Sequence, residues 1–184
     1  ESDKVCEAGQ CVTPGVEPLQ VGDFVLTEFM AKSLPGTEKG EWVEFVNTTD
    51  GPLNLAGCVL RDDDSDSVTI VDELIIAGGA YALFARSNVP AENNGLPAAS
   101  LYFGGGFQLA NSVDEIALQC GDVIVDHVAY TADWVTEGVA IQLHPASADA
   151  TLNDVLSNWC PATTEYGTAA KLGTPGAVNV DCPQ

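Results

Sequence analysis

The sequence predicts an all-β sandwich, and three observations lead there. Short runs of strand-type residues recur along most of the chain, separated by Gly, Pro, Asn and Asp. No segment keeps a helical hydrophobic period over three turns, and Ala150–Ser157 is expected to form at most one short turn of helix. Hydrophobic residues make up 46% of a 184-residue chain, enough to bury the core of one domain, while the length is too short for two full ones.

Residues 1–22 are expected to be an extended arm or linker. They are polar, carry Pro14, Gly15, Pro18 and Gly22, and show no lasting periodicity. The sandwich is assigned to residues 23–184. Phe24–Ala31 begins its strands. Glu41–Asn47 alternates, with Trp42, Glu44 and Val46 on one face and Val43, Phe45 and Asn47 on the other. Cys58–Arg61 is short and apolar and runs into an acidic loop. Val68–Val71 resumes the pattern, Gly78-Gly79 breaks it, and Gly79–Arg86 reads as a central strand. Residues 87–106 read as a long loop rich in Asn, Pro and Gly. Glu115–Gln119 and Val123–Tyr130 flank Cys120-Gly121-Asp122, the clearest hairpin in the chain. Val139–Leu143 offers a last strand, and residues 144–184 are expected to wrap the sandwich as a tail.

Charge narrows the partners. Against 27 Asp and Glu stand 6 Lys and Arg, for a net charge of −21. A field of that sign repels phosphate backbones and anionic lipid, which argues against nucleic acid and favours cations or a protein or surface partner. No apolar run reaches the roughly 18 residues of a transmembrane helix. The six cysteines are even in number and contain no C-x-x-C pair, so disulfides fit better than a zinc site. Disulfides imply an oxidising compartment and hence a secreted or cell-surface location. Many pairings are open; the preferred one joins Cys6 with Cys11, Cys58 with Cys120, and Cys160 with Cys182. No leader is visible, and Glu1 is expected to follow a processing point.

Four groups of residues are candidates for chemistry. Asp62, Asp64, Asp66 and Glu73 fall at the first, third, fifth and twelfth places of a calcium-loop spacing, which makes calcium the candidate cofactor. Ser67 stands where such a loop needs glycine, and the flanks read as strands, so the alternatives are another kind of calcium site or a solvated acidic turn. Glu28 and Glu44 sit in apolar strands. They could do acid–base work across a cleft, or bond to backbone or to Arg61 or Arg86. His127, His144 and Ser112 supply triad residue types, but no activating motif surrounds any serine, and no catalytic residue is assigned. Tyr102–Phe107 is either a ligand-contacting loop or an irregular strand whose aromatics are core.

The ordered blocks Leu26-Thr27-Glu28-Phe29-Met30, Glu41-Trp42-Val43-Glu44-Phe45-Val46-Asn47, Leu53–Leu60, Ile76–Tyr81, Leu109–Leu118 and Thr174-Pro175-Gly176-Ala177-Val178-Asn179 resemble the lamin tail domain as it occurs in bacterial exported proteins. The resemblance spans roughly residues 23–180. It implies an immunoglobulin-like β-sandwich and a module on secreted or surface proteins, with no shared catalytic residues. Cys58 stands where a tryptophan is common in that pattern, so a sulfur bridge is expected to replace aromatic packing there. The functional expectation is a non-enzymatic binding or scaffolding module. The first alternative is a self-assembling structural subunit of an extracellular assembly or filament, using the arm for strand addition to form a homo-oligomer. The second is a hydrolase with an unrecognised site.

Overall fold

Strand-forming segments bounded by turns assemble into two packed sheets. The computed structural model describes the backbone of residues 5–7 and 10–12, and residues 18–34, 39–167 and 171–183 in full. In chain order the strands are β1 (Val5–Glu7), β2 (Gln10–Val12), β3 (Phe24–Met30), β4 (Trp42–Asn47), β5 (Leu53–Asn54), β6 (Cys58–Arg61), β7 (Ser67–Thr69) and β8 (Ile75–Ile76). They continue with β9 (Tyr81–Ala85), β10 (Leu101–Tyr102), β11 (Asp114–Cys120), β12 (Val123–Tyr130), β13 (Ile141–Leu143), β14 (Trp159–Pro161), β15 (Glu165–Tyr166) and β16 (Lys171–Leu172). One sheet has the order β10-β9-β4-β3-β13-β14 and the other β12-β11-β6-β7, while the remaining strands form two-stranded ribbons. The fold is therefore all-β and immunoglobulin-like.

Between the sheets lies the main core, filled from one side by Phe29, Val43, Phe45 and Phe84 and from the other by Leu60, Ile116, Leu118 and Val128. Along β9 the alternation is plain: Ala82 and Phe84 face this core, and Leu83 and Ala85 face away. In an ordinary sandwich the away-facing residues meet water. Here they do not. Met30, Trp42, Leu83 and Ala85 form a second buried cluster with Ala140 and Ala162, with Leu96, Tyr166 and Leu172 packed against it. That is why all six residues of β4 are buried. The outer face of the larger sheet is roofed by residues near 96 and by the segments after β14.

Several details differ from expectation. The arm holds a hairpin, with Cys6 opposite Cys11 in the backbone register of β1 and β2; the side chains of these two cysteines, and so their bridge, lie outside the described residues. Residues 18–22 pack on the sandwich, because Leu19 is in the main core and the Gly22 N–H donates to the Val125 carbonyl at 2.8 Å. The segment 87–106 is no bare loop: a helical turn, Pro90–Asn93, opens on its proline, and β10 pairs in parallel with β9. Strand β9 is accordingly one place in from the edge and not central. Residues 150–157 make turns, and the short helical turn follows as a 3-10 turn at Leu156–Asn158.

Two disulfides tie the described chain. Cys58–Cys120 joins register partners on neighbouring strands β6 and β11. It therefore staples one sheet and does not cross the sandwich. Cys160–Cys182 anchors the tail to β14.

Candidate functional site

The strongest concentration of buried polar chemistry lies on the roofed outer face. Strand pairing puts Glu28 of β3 directly opposite Glu44 of β4, with Gln142 of β13 on the far side of Glu28. All three side chains are essentially fully buried. Strand β3 bulges between Leu26 and Glu28, as its register shift shows. A bulge leaves ladder groups unpaired; here the Leu26 N–H goes to Asp126 and the Thr27 carbonyl to a distant segment.

That segment is Thr174–Asn179. Pro175 and Gly176 occupy the centre of a tight turn, Gly176 at φ +83°, closed by the Ala177 N–H donating to the Thr174 carbonyl at 2.9 Å. Proline followed by a positive-φ glycine is the type II arrangement. The turn aims its amides at the glutamates. The Thr174 N–H donates to both Glu28 oxygens at 3.0 Å, and the Gly176 N–H donates to Glu44 Oε2. Thr174 Oγ1 lies 2.9 Å from Glu28 Oε2 and 2.9 Å from Asn179 Oδ1. Asn179 Nδ2 donates to the carbonyls of Thr27 at 2.7 Å and Leu143 at 2.9 Å, filling the place where the β3–β13 ladder has ended. Just before the turn, Gly173 leaves a side chain little room. A Cβ there would stand 3.0 Å from Trp42 Cζ2 and 3.1 Å from a ring carbon of Tyr166.

Burial dominates the electrostatics. Desolvation pushes the Glu28 carboxyl up to about 8, against the lowering pull of its bonds to Thr174. Desolvation also raises Glu44 well above the carboxylate range, and the neighbouring Glu28 adds to it. Glu44 Oε1 has no hydrogen-bond partner. Lys171, fully buried, donates to Ser33 Oγ at 2.6 Å, and desolvation lowers its ammonium to about 8. The Trp42 indole N–H donates to the Tyr166 hydroxyl at 2.9 Å. Neither arginine reaches the pair: Arg86 holds both oxygens of Glu41 at 2.8 Å, and Arg61 holds Asp63 at 3.0 Å.

Another buried carboxylate, Asp126 of β12, carries no signal in the sequence that sets it apart from the surface acids. Its Oδ2 accepts the Leu26 N–H at 2.6 Å and the Asn153 amide at 2.7 Å, so it joins the two sheets beside the β3 bulge. Desolvation raises it to about 6.

The acidic loop is organised around its own backbone. Asp62 Oδ1 accepts the N–H groups of Asp64 and Asp66 at 3.0 and 2.9 Å, and the Asp62 N–H donates to the Asp66 carbonyl at 3.1 Å. Asp64 and Glu73 are exposed. Among the described residues no three His, Cys, Asp or Glu side chains are grouped to hold a metal ion, so Asp62, Asp64, Asp66 and Glu73 are not brought together. His127 faces Asp63 at 3.1 Å, while His144 accepts the Ala146 N–H on Nδ1. In the Tyr102–Phe107 stretch, Phe103 and Phe107 are core residues meeting edge to face at 5.6 Å, and Tyr102 is its one exposed aromatic.

The family model described as Lamin Tail Domain matches residues 18–132, from just before Leu19 through β12. Both buried glutamates fall inside that span; the tail segment that binds them falls outside it. No curated protein and no solved structure matches the chain.

Proposed function

Because the chain belongs to the lamin tail domain family, we propose that it is a non-enzymatic binding or scaffolding module of an exported, secreted or cell-surface protein. The observation that carries this reading is the fate of Glu28 and Glu44. A carboxylate pair offers acid–base catalysis only where substrate can reach it, and these two spend their bonds on the amides of Thr174 and Gly176 beneath a packed roof. The net charge of −21 supports a cationic protein or surface as the partner, and the two disulfides support an oxidising location.

The test is a panel of esterase, glycosidase and nuclease substrates offered to the full chain and to its Glu28→Gln variant. We expect no turnover by either protein. Turnover by the wild type that the variant loses would establish a hydrolase and overturn the proposal.

The hairpin at residues 5–12 favours a second reading, assembly through the arm. Among the described residues it forms a sheet of its own, separate from the sandwich, and an unpaired strand edge can add to the sheet of a second copy. Concentration-dependent size in solution that vanishes on deletion of residues 1–17 would support it; a monomer at all concentrations would remove it.

A further inference from the structure

The hydrogens around Thr174 can be counted. Asn179 Nδ2 is committed to two carbonyl acceptors, Thr27 and Leu143, which fixes the amide so that Oδ1 faces Thr174 Oγ1. That oxygen can only accept, and the Thr174 hydroxyl has one hydrogen to give. The hydroxyl therefore donates to Asn179, and the 2.9 Å contact between Oγ1 and Glu28 Oε2 needs a hydrogen from the glutamate. Glu28 is a neutral acid donating to Thr174, which donates to Asn179, which donates to the sheet.

We propose that the tail segment 173–182 is held on the outer face by a proton-gated latch, in which Glu28 docks it as a neutral carboxylic acid and loss of that proton weakens the docking. An ionised Glu28 can only accept. Thr174 then has two acceptors for one hydrogen, and either Glu28 or Asn179 loses its partner. The new charge would also lie cross-strand from Glu44, whose Oε1 already lacks a partner. Two buried carboxyls so close do not both ionise cheaply. The disulfide at Cys182 keeps an undocked segment tethered to β14.

Apart from Glu44 across the strand pair, whose carboxyl is also raised by burial and which accepts the Gly176 N–H, the groups facing Glu28 do not reproduce this behaviour. From β13 it meets Gln142, which does not titrate. Tyr81 on β9 and Tyr166 on β15 are both pushed above the ordinary tyrosine value and ionise later. Lys171 on β16 acts in the opposite sense, since a buried ammonium that loses its proton is relieved and not destabilised. Residues 173–180 carry no titratable side chain, and beyond them Asp181 faces His144 at 3.7 Å.

The experiment is amide hydrogen exchange at Thr174 and Gly176 in the full chain, corrected for the intrinsic pH dependence of exchange. One linked proton lowers docking about tenfold per pH unit. Wild-type protection is expected to fall at that rate from just above the ordinary glutamate value and to level off near 8. Glu28→Gln should be flat at Thr174, because its Nε2 donates to Thr174 Oγ1 and its Oε1 accepts the Thr174 N–H at every pH, leaving at Gly176 only the smaller dependence that Glu44 contributes. Protection that is constant with pH in the wild type, or that falls equally in the variant, overturns the latch. Should the variant not fold, the side-chain carboxyl 13C shift of Glu28 in the wild type decides: a neutral acid at neutral pH upholds the proposal, and a carboxylate there ends it.

Discussion

At the scale of single residues, a handful of polar side chains substitute for missing backbone bonds. Asn179 serves two carbonyls of strands that have stopped pairing with each other. Replacing it by Leu strands both, and an unsatisfied buried acceptor costs on the order of 1–3 kcal/mol. Urea unfolding of Asn179→Leu should therefore shift to a lower midpoint with an unchanged slope. Lys171 provides a separate pH test. The unfolded chain keeps an ordinary lysine proton to about 10.5, whereas the folded one loses it near 8. Between these values the unfolded state binds more protons, so stability rises with pH and that contribution is lost as pH falls through 8. Titration of unfolding free energy should show this rise in the wild type and not in Lys171→Met. Asp126 has the opposite sign: its pKa is raised from 3.8 to about 6, so its contribution is present below 3.8 and lost as pH climbs through 6. Asp126→Asn should abolish that acid-side slope.

At the scale of elements, the unusual part is the roof. Strand β4 reads in sequence as an alternating strand, and the structure puts Trp42 on its outer face and Val43 and Phe45 in the main core. Nothing within Glu41–Asn47 says that its second face is covered by residues more than a hundred positions away. The Pro-Gly turn at 175–176 is equally legible as a turn, but its target is not, because the amides it presents find Glu28 and Glu44 only after the sheet has formed. Cys160–Cys182 holds the roof at its far end and encloses a short loop, with a sequence separation of 22. Loop-closure entropy for such a bridge is worth about 3 kcal/mol. The Cys160→Ser/Cys182→Ser double variant should lose about that much in chemical unfolding. It should also lose amide protection at Gly176 before β11 or β12 loses any. Simultaneous loss throughout would show that the roof and sandwich are one cooperative unit.

At the scale of the whole molecule, charge and the arm decide behaviour. With −21 on a small domain, self-repulsion opposes compaction and added salt should stabilise it. The loop at Asp62–Asp66 is already held by its own N–H groups, so calcium should act as a general counterion. We expect millimolar calcium to raise the melting temperature equally in the wild type and in the Asp64→Asn/Asp66→Asn/Glu73→Gln variant. A shift that the variant loses would place a calcium site on that loop. Deleting residues 1–17 should leave the melting temperature unchanged. Deleting 1–22 removes Leu19 from the core, and full burial of such a side chain is worth roughly 1.5–3 kcal/mol.

The sequence by itself determined that the chain is an all-β domain, where the longest strands lie, that its cysteines suit disulfides, with Cys58–Cys120 and Cys160–Cys182 among the preferred pairs, and which family it resembles. These follow from local rules, namely side-chain alternation, turn chemistry and the order of short blocks. Only the tertiary structure decided that the outer sheet face is dry, that Glu28 and Glu44 meet beneath a Thr-Pro-Gly turn, and that Asp126 bonds to Leu26 and Asn153. Each is a contact between segments far apart in the chain. A carboxylate in a strand has the same local pattern whether it faces water or a buried amide. What separates the two cases is desolvation, which depends on everything packed around the group and on nothing beside it in sequence.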